Sequence, residues 1–271
     1  MHVFQVGVGS GGVVVLDLVA RDPRVSRVAV VDPDFFREHN VVRHLYPSSY
    51  VGQRKADLAI KWIADRRSDV MVEALPVDIT AKDYQEPMER RIKSCDVGIC
   101  AVDNEPAKHA FDGLMRKFQK PWTLAEVLSG GIGGWVHRFV PGGPCYACVA
   151  SYLHREAPTD APPAPPPDYS APGGPVRETR IPADRASISA IASLHASATL
   201  ALLDKDIEPP GFSSALLTLR RVPGVFEQPF RMHRFTIPRS ESCLVCAAGP
   251  APVGEALDVA LDQALARLGD E

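Results

Sequence analysis

Three glycines and one aspartate near the start of the chain have the types and spacing of a nucleotide-binding turn. Gly7, Gly9 and Gly12 fit the pattern G-x-G-x-x-G after an apolar run, and Asp32 follows a second apolar run, 20 residues after Gly12. In such a turn the first glycine permits the tight bend, the second allows a ligand to approach, and the third lets the helix pack on the strand. The helix start offers N–H groups to phosphate, and the acid can accept hydrogen bonds from ribose hydroxyls. These residues alone leave open a redox dinucleotide, ATP or a purely structural turn.

Two cations follow in an ordered pattern. The chain reads D-P-D, then N-V-V-R, then V-G-Q-R-K-A, which places Asp34, Asn40, Arg43 and Lys55 downstream of Asp32. Arginine can bind two phosphate oxygens at once and lysine acts as a point charge, so the pair suits a triphosphate better than a nicotinamide dinucleotide. Solvated surface charge is the alternative for either residue alone. With the glycine turn, this order resembles the ThiF/MoeB/HesA family and the adenylation domains of ubiquitin-activating enzymes.

A further acid is predicted at the end of a buried strand. Residues 95–102 are apolar except for Asp96, and they lead into Asp103-Asn104. Such an acid lies at the edge where doubly wound sheets bind ligands, and the family resemblance implies that Asp103 helps to hold magnesium on the phosphates of ATP. The alternative is that Asp103 caps the helix that begins near Glu105-Pro106.

Four of the six cysteines form two C-x-x-C pairs, Cys145/Cys148 and Cys243/Cys246, separated by 94 residues. Four thiolates are the ligand set of a closed structural zinc site, which has no open position for catalysis. Unrelated reduced thiols are one alternative. A redox pair is disfavoured because neither pair is expected to open a helix in a thioredoxin-like setting. The other two cysteines, Cys95 and Cys100, are expected to be buried apolar residues rather than nucleophiles.

Composition sets the outer limits. The chain has 271 residues, 45% of them hydrophobic, and a formal net charge of -3. This suits one large α/β domain and gives no reason to expect nucleic-acid binding. We expect no signal peptide and no membrane-spanning run, hence a cytoplasmic location with reduced or metal-bound cysteines.

The pattern of apolar residues and turns predicts a Rossmann-like, mostly parallel sheet with helices on both faces, a late β-hairpin and the pair of zinc knuckles. We expect one adenylation domain over residues 1–271: a nucleotide-binding core (1–144), a Pro-rich crossover loop (149–185), and then a helix, the hairpin, the second knuckle and a C-terminal helix (186–271). Predicted helices cover 54–67, 83–93, 107–119, 187–203 and 255–268; further strands cover 70–75 and 121–127, a glycine-rich turn leads into a strand within 130–140, and the hairpin pairs 216–221 with 230–237.

On the first of these helices, Ala56, Ile60, Ile63 and Ala64 are expected to share a face. His195 is expected to be a buried or interface histidine rather than a base.

The resemblance implies adenylation of the C-terminal carboxylate of a ubiquitin-like protein or peptide by ATP. Many family members then form a thioester on a cysteine in or after the crossover loop, but this chain has no cysteine from Val149 to Ser242. We therefore expect adenylation without a thioester on this chain; a conjugating or sulfur-transfer partner could carry the acceptor cysteine. Many members also place an arginine, from a helix before the first strand, in the partner subunit's ATP site. This sequence starts at that strand, so another arginine, a partner chain or weak ATP chemistry remain open.

The family resemblance also implies a homodimer. Two other interpretations compete with the adenylating enzyme: a non-catalytic nucleotide-binding scaffold or subunit of an activating enzyme, and a nicotinamide-dependent enzyme.

Overall fold

The computed structural model describes residues 1–153, 183–204 and 211–247, and in this part of the chain eight strands form one sheet. The order across the sheet is β3-β2-β1-β4-β5-β6-β7-β8. The first five strands in sequence are parallel, and β6, β7 and β8 are antiparallel to their neighbours. The strands are β1 (His2–Val6), β2 (Arg27–Val31), β3 (Met71–Leu75), β4 (Val97–Cys100), β5 (Trp122–Val127), β6 (Gly133–Phe139), β7 (Ser214–Thr218) and β8 (Met232–Phe235).

Helices cover both faces of this sheet, as the sequence predicts. They are α1 (Gly12–Ala20), α2 (Lys55–Ala64), α3 (Gln85–Ser94), α4 (Glu105–Lys117), α5 (Tyr146–Tyr152) and α6 (Arg185–Leu203). One apolar cluster joins α1, α2 and α6 to one face, and a second joins α3, α4 and α5 to the other. Since strands β1 and β2 are buried on both faces, they read in the sequence as continuous apolar runs.

The order of the strands determines where a ligand can bind. The chain passes from β1 outward to β2 and β3, then crosses back to β4 on the other side of β1. At such a switch point the loops after two adjacent parallel strands diverge and leave a crevice at their carboxyl ends. Here those loops are the glycine turn after β1 and the segment that contains Asp103 after β4.

Several predicted elements are confirmed with adjusted bounds. The helices predicted over 54–67, 83–93 and 107–119 correspond to α2, α3 and α4, and the late hairpin is the antiparallel pair β7–β8, whose connection turns at Gly224 with φ +79°. The predicted face of α2 was wrong in two of its four positions: Ile60 and Ala64 are exposed. Leu58 and Ala59 are buried instead. The Pro-rich loop and the C-terminal helix predicted over 255–268 lie outside the described residues, apart from the ends of the loop.

Helix α6 corrects another expectation. Its 19 residues are long and apolar enough to pass a length-and-composition test for a membrane span, whereas the sequence was expected to contain no such run. The helix packs against α1 and against β5 and β6, and it buries Ile191, His195 and Thr199. The Nε2 atom of His195 lies 3.0 Å from the hydroxyl of Thr123 on β5. These contacts are those of a core helix, and they confirm that His195 is buried.

Candidate nucleotide-binding site

The glycine turn after β1 is closely packed at two positions and open at the third. Gly7 has φ +88°, and a Cβ added there would lie 2.3 Å from the carbonyl oxygen of Ala101. A Cβ on Gly12 would lie 2.3 Å from the carbonyl oxygen of Gly7. A Cβ on Gly9 would meet no atom within 4 Å in the part of the chain that the structure describes. Thus Gly7 and Gly12 are required by the fold itself, and Gly9 leaves the space in which a ligand could reach the backbone.

The same turn presents unused hydrogen-bond donors. Within the described part of the chain, the backbone N–H groups of Gly9, Ser10 and Gly11 donate to no atom. They precede the first turn of α1, which contains no acidic side chain. The side-chain amide of Gln5 donates to the carbonyl oxygens of Gly7 (2.9 Å) and Gly12 (2.7 Å) and so fixes the turn. Free N–H groups and the positive end of a helix dipole together favour an anion such as phosphate.

The carboxylate of Asp32 stabilises this turn by accepting hydrogen bonds from backbone N–H groups. One carboxylate oxygen accepts a hydrogen bond from the N–H of Val8 at 2.6 Å, and the other accepts one from the N–H of Asp34 at 2.9 Å. Burial raises the pKa of Asp32, while the charge of Lys55 and these two N–H groups oppose that shift. Each carboxylate oxygen can accept a further hydrogen bond. The predicted contact with a ribose is therefore compatible with the structural role of Asp32.

The two predicted cations differ in their surroundings. The ammonium of Lys55, at the start of α2, is buried and lies 2.7 Å from the carboxylate of Asp34, whose side chain is 64% exposed. The Nε atom of Arg43 is buried and has no hydrogen-bond partner in the described chain. An orphaned, buried guanidinium nitrogen is destabilising unless a ligand supplies an acceptor. Arg43 therefore fits a phosphate more directly than Lys55 does.

Asn40 organises the loop that carries Arg43. Its side-chain oxygen accepts a hydrogen bond from the N–H of Arg37, and its carbonyl oxygen accepts bonds from the N–H groups of Arg43 and His44. This makes Asn40 a residue that shapes the loop, whichever ligand the loop contacts.

His44 joins this loop to the glycine turn and was missed in the sequence. Its Nδ1 accepts a hydrogen bond from the N–H of Tyr46, so its Nε2 carries the proton and donates to the carbonyl oxygen of Val8 at 2.9 Å. Burial lowers the pKa of His44 to about 4, and the nearby charges of Lys55, Arg185 and Arg43 act in the same direction. A histidine directly after Arg43 was the available signal, but nothing local to it indicates the contact with Val8.

Asp103 lies after β4 and is exposed, with no hydrogen bond or ion pair in the described part of the chain. It does not cap α4. The cap is Asn104, whose side-chain oxygen accepts a hydrogen bond from the N–H of Ala107 at 2.9 Å. The capping alternative was therefore wrong, and the carboxylate of Asp103 is available for a cation. Its oxygens are the ligand type that magnesium prefers.

A buried ion network lies beside Asp103 and was also missed. The ammonium of Lys108 contacts the carboxylate of Glu105 at 2.6 Å and that of Glu126, near the end of β5. The hydroxyl of Tyr146 donates to Glu105 at 2.8 Å. Burial alone would lower the pKa of Lys108, but the two carboxylates raise it above its usual value. The lysine therefore stays charged and holds the ends of α4 and β5 together.

The four predicted metal-ligand cysteines come together. Their Sγ atoms all lie within 4.8 Å of one another, with Cys145–Cys243 at 3.6 Å and Cys148–Cys246 at 3.4 Å. Tetrahedral coordination with Zn–S bonds of about 2.3 Å needs sulfur–sulfur separations of about 3.8 Å. The set can therefore hold a zinc ion. One expectation was wrong: Cys145 does open a helix, as the N-terminal cap residue of α5.

Cys95 and Cys100 lie outside this cluster and are buried in the core. Burial raises the pKa of each thiol to about 12. Since the thiolate is the reactive form, neither is a nucleophile at neutral pH.

The sequence of this chain is similar to those of known proteins. A model described as "ThiF family" matches residues 1–245. The chain belongs to the ThiF family. Over 153 residues it is 33% identical to a sulfur carrier protein adenylyltransferase of Thermus thermophilus. This alignment covers 54% of this chain and 54% of the relative. Over 157 residues it is 25% identical to ubiquitin-like modifier-activating enzyme 5 of Arabidopsis thaliana, covering 53% of this chain and 36% of the relative. The chain thus spans about a third to about half of the length of these relatives.

Solved structures show the same fold. A crystal structure of E. coli MccB with ATP superposes with a TM-score of 0.65 at 16% identity, covering 90% of this ThiF-family chain and 66% of MccB. The microcin C7 biosynthetic enzyme MccB in complex with N-formylated MccA gives a TM-score of 0.68 at 17% identity, covering 90% of this chain and 67% of MccB. At this identity the likeness establishes the mostly parallel, Rossmann-like sheet.

Proposed function

We propose that this chain adenylates the C-terminal carboxylate of a ubiquitin-like protein or peptide at the expense of ATP. The observation that carries the proposal is the combination of unused N–H groups at the glycine turn with the orphaned guanidinium nitrogen of Arg43. Both the N–H groups and the guanidinium nitrogen are donors that a polyanion at the switch point of the sheet could satisfy. The family membership and the relative named a sulfur carrier protein adenylyltransferase support the choice of reaction.

The reaction needs no general base. A carboxylate oxygen of the substrate attacks the α-phosphorus of ATP, and the bond from that phosphorus to the bridging oxygen of the β-phosphate breaks. Pyrophosphate leaves with its electron pair, and the product is a mixed anhydride between the carboxyl group and AMP. No proton is transferred, so the chain's contribution is positioning and charge stabilisation.

Each site residue has a place in this scheme. Arg43 and Lys55 bind phosphate oxygens, and the turn at Gly9 lies under the phosphates. Asp32 accepts hydrogen bonds from the ribose. Asp103 would hold magnesium, which would offset the negative charge of the phosphates. Zinc at the four cysteines is structural, because four sulfurs leave no open position.

The fate of the acyl-adenylate follows from the cysteines. Four of the six are clustered as a metal site and the other two are buried, so we propose that a cysteine on another protein accepts the acyl group. A conjugating or sulfur-transfer protein would supply such a cysteine. The homodimer and the cytoplasmic location expected from the sequence stay predictions.

Exchange of labelled pyrophosphate into ATP tests the proposal. Small glycine-ended proteins encoded beside this one serve as candidate substrates, in the presence of magnesium. We expect substrate-dependent exchange, and a loss of at least about 100-fold in Asp103→Ala because several kcal/mol of charge stabilisation are removed. Asp103 is exposed and has no partner among the described residues, so the Tm of Asp103→Ala should equal that of the native chain. Tight ATP binding without exchange for any substrate would instead favour the non-catalytic scaffold.

A further inference from the structure

The start of α6 lies against the glycine turn. A Cβ on Gly11 would be 3.7 Å from the side chain of Ile188, one turn into α6. Asp184 caps this helix: its carboxylate accepts hydrogen bonds from the N–H and the hydroxyl of Ser187, at 2.8 and 3.0 Å. Arg185 is the first residue of the helix and precedes Ile188 by three positions, so the two side chains project from the same side. The fixed helix start therefore directs Arg185 towards the loops of the nucleotide site.

One hydrogen bond shows where the guanidinium lies. A terminal nitrogen of Arg185 donates to the carbonyl oxygen of His44, and the ring of His44 donates to the carbonyl oxygen of Val8 in the glycine turn. Arg185 thus contacts His44, the residue that follows Arg43 in the chain, and His44 in turn contacts the glycine turn. The charges that help to lower the pKa of His44 are those of Lys55, Arg185 and Arg43, which places all three cations around the same histidine.

The cations Lys55, Arg43 and Arg185 differ in whether an acidic side chain pairs with them. Lys55 is paired with Asp34, but Arg185 has no carboxylate partner in the described chain, and the Nε of Arg43 has no partner there either. Guanidinium groups carry five N–H donors, and the described contacts of Arg185 use one of them. In the described chain, two arginines without an acidic partner therefore lie near N–H groups that have no acceptor, and both kinds of group can bind an anion.

We propose that Arg185 is the third cation of the nucleotide site and that it binds the β- and γ-phosphates of ATP. This inference rests on the ATP site of the proposed function and adds a residue that is 130 positions beyond Lys55. It also places a nucleotide contact at the end of the predicted Pro-rich loop (149–185), so residues from both halves of the chain bind the nucleotide.

Calorimetric titration with two nucleotides tests the assignment. Magnesium-ATP and AMP are titrated into the native chain, Arg185→Gln, Arg185→Lys and Arg24→Gln. Glutamine keeps a donor for the His44 carbonyl but removes the charge. Arg24 lies beyond the far end of α1 and pairs with Asp22, so its variant changes the net charge equally, away from the site.

We expect Arg185→Gln to weaken ATP binding by at least about tenfold, the loss of one charge-assisted hydrogen bond. AMP binding should change by less than about threefold, since AMP lacks the two outer phosphates. Arg185→Lys should lie between native and Gln, because the ammonium keeps the charge but loses the paired donors. Arg24→Gln should bind both nucleotides as the native chain does.

Two results would overturn the assignment while the ATP site stands. Arg185→Gln could bind ATP as tightly as the native chain, or it could lose ATP and AMP by the same factor, which would make the arginine only a support for the His44 loop. If the native chain binds neither nucleotide, the proposed function fails as well. Thermal unfolding of each variant, without nucleotide, shows whether a loss of binding reflects a loss of folding, and Arg185→Lys provides a second variant if Gln unfolds.

Discussion

Replacing Gly9 by alanine should weaken nucleotide binding about ten- to hundredfold without weakening the fold. The added methyl group meets no atom of the described residues within 4 Å, and the backbone of Gly9 is outside the left-handed region that only glycine adopts readily. Alanine at a compatible glycine position raises the free energy of unfolding by about 0.4–1 kcal/mol, because the unfolded chain loses conformational freedom. Gly9→Ala should therefore be as stable as the native chain or slightly more stable.

The effect on binding follows from the same geometry. A phosphate oxygen that accepts a hydrogen bond from a backbone N–H lies about 2.9 Å from the nitrogen. A methyl carbon on Gly9 would occupy the open space through which that oxygen must approach. Losing one charge-assisted hydrogen bond weakens binding by about 1.5–3 kcal/mol, which is about a ten- to hundredfold rise in the Kd for ATP.

Gly7→Ala is the matched contrast. Its Cβ would lie 2.3 Å from the oxygen of Ala101, at φ +88°. Backbone strain and overpacking each cost about 1–3 kcal/mol, so the free energy of unfolding should fall by at least about 2 kcal/mol. In a chain of this size that lowers the Tm by at least about 4 °C. Calorimetric titration with ATP and thermal unfolding are measured on both variants. If Gly9→Ala binds ATP like the native chain, no phosphate approaches this turn and the reasoning is wrong.

Two further predictions concern the metal site and the buried histidine. Cys148→Ser should lose bound zinc, measured by elemental analysis. A chelator should lower the Tm of the native chain but not of this variant, because the metal joins residues that are 98 positions apart. Cys95→Ala is the control, and a native chain that holds no zinc would contradict the assignment. Acidification should destabilise the fold through His44, whose pKa falls from 6.5 to about 4 on folding. Between these two pH values the unfolded chain binds a proton that the folded chain excludes. The free energy of unfolding should therefore drop by roughly 2 kcal/mol from pH 7 to pH 5. Urea titrations at the two pH values should show a smaller drop for His44→Gln, and an unchanged drop would count against the buried, neutral histidine.

The sequence predicts those parts of the site that lie within short segments. Gly7, Gly9 and Gly12 are specified by spacing because one turn requires all of them, and the two cysteine pairs are each complete within four residues. Asp103 could be placed at the sheet edge because it follows a continuous apolar run. In each case the same few residues determine the local structure and the chemistry, so a short sequence pattern predicts both.

The contacts that the sequence does not show join segments far apart. Arg185 reaches the carbonyl of His44 across 141 positions, and its own neighbours give no sign of this. Lys108 is placed by a local i, i+3 partner and by Glu126 on the next strand, so only the packing of α4 against β5 shows that its charge is buried. The exposed Ile60 is a further example of a contact that the sequence does not determine. Apolar periodicity locates the buried face of a helix only to within about one position.

The two predicted cations illustrate how the site can be stable before a nucleotide binds. A buried ammonium without a partner would be strongly unfavourable, and Asp34 supplies that partner for Lys55. The carboxylate of Asp34 is mostly exposed, so it can return to water with little loss when a phosphate replaces it at Lys55. Among the described residues, no group accepts a hydrogen bond from the buried Nε of Arg43. Phosphate binding therefore exchanges one anion for another at Lys55 but creates a new interaction at Arg43, and most of the favourable free energy from this pair should come from the arginine.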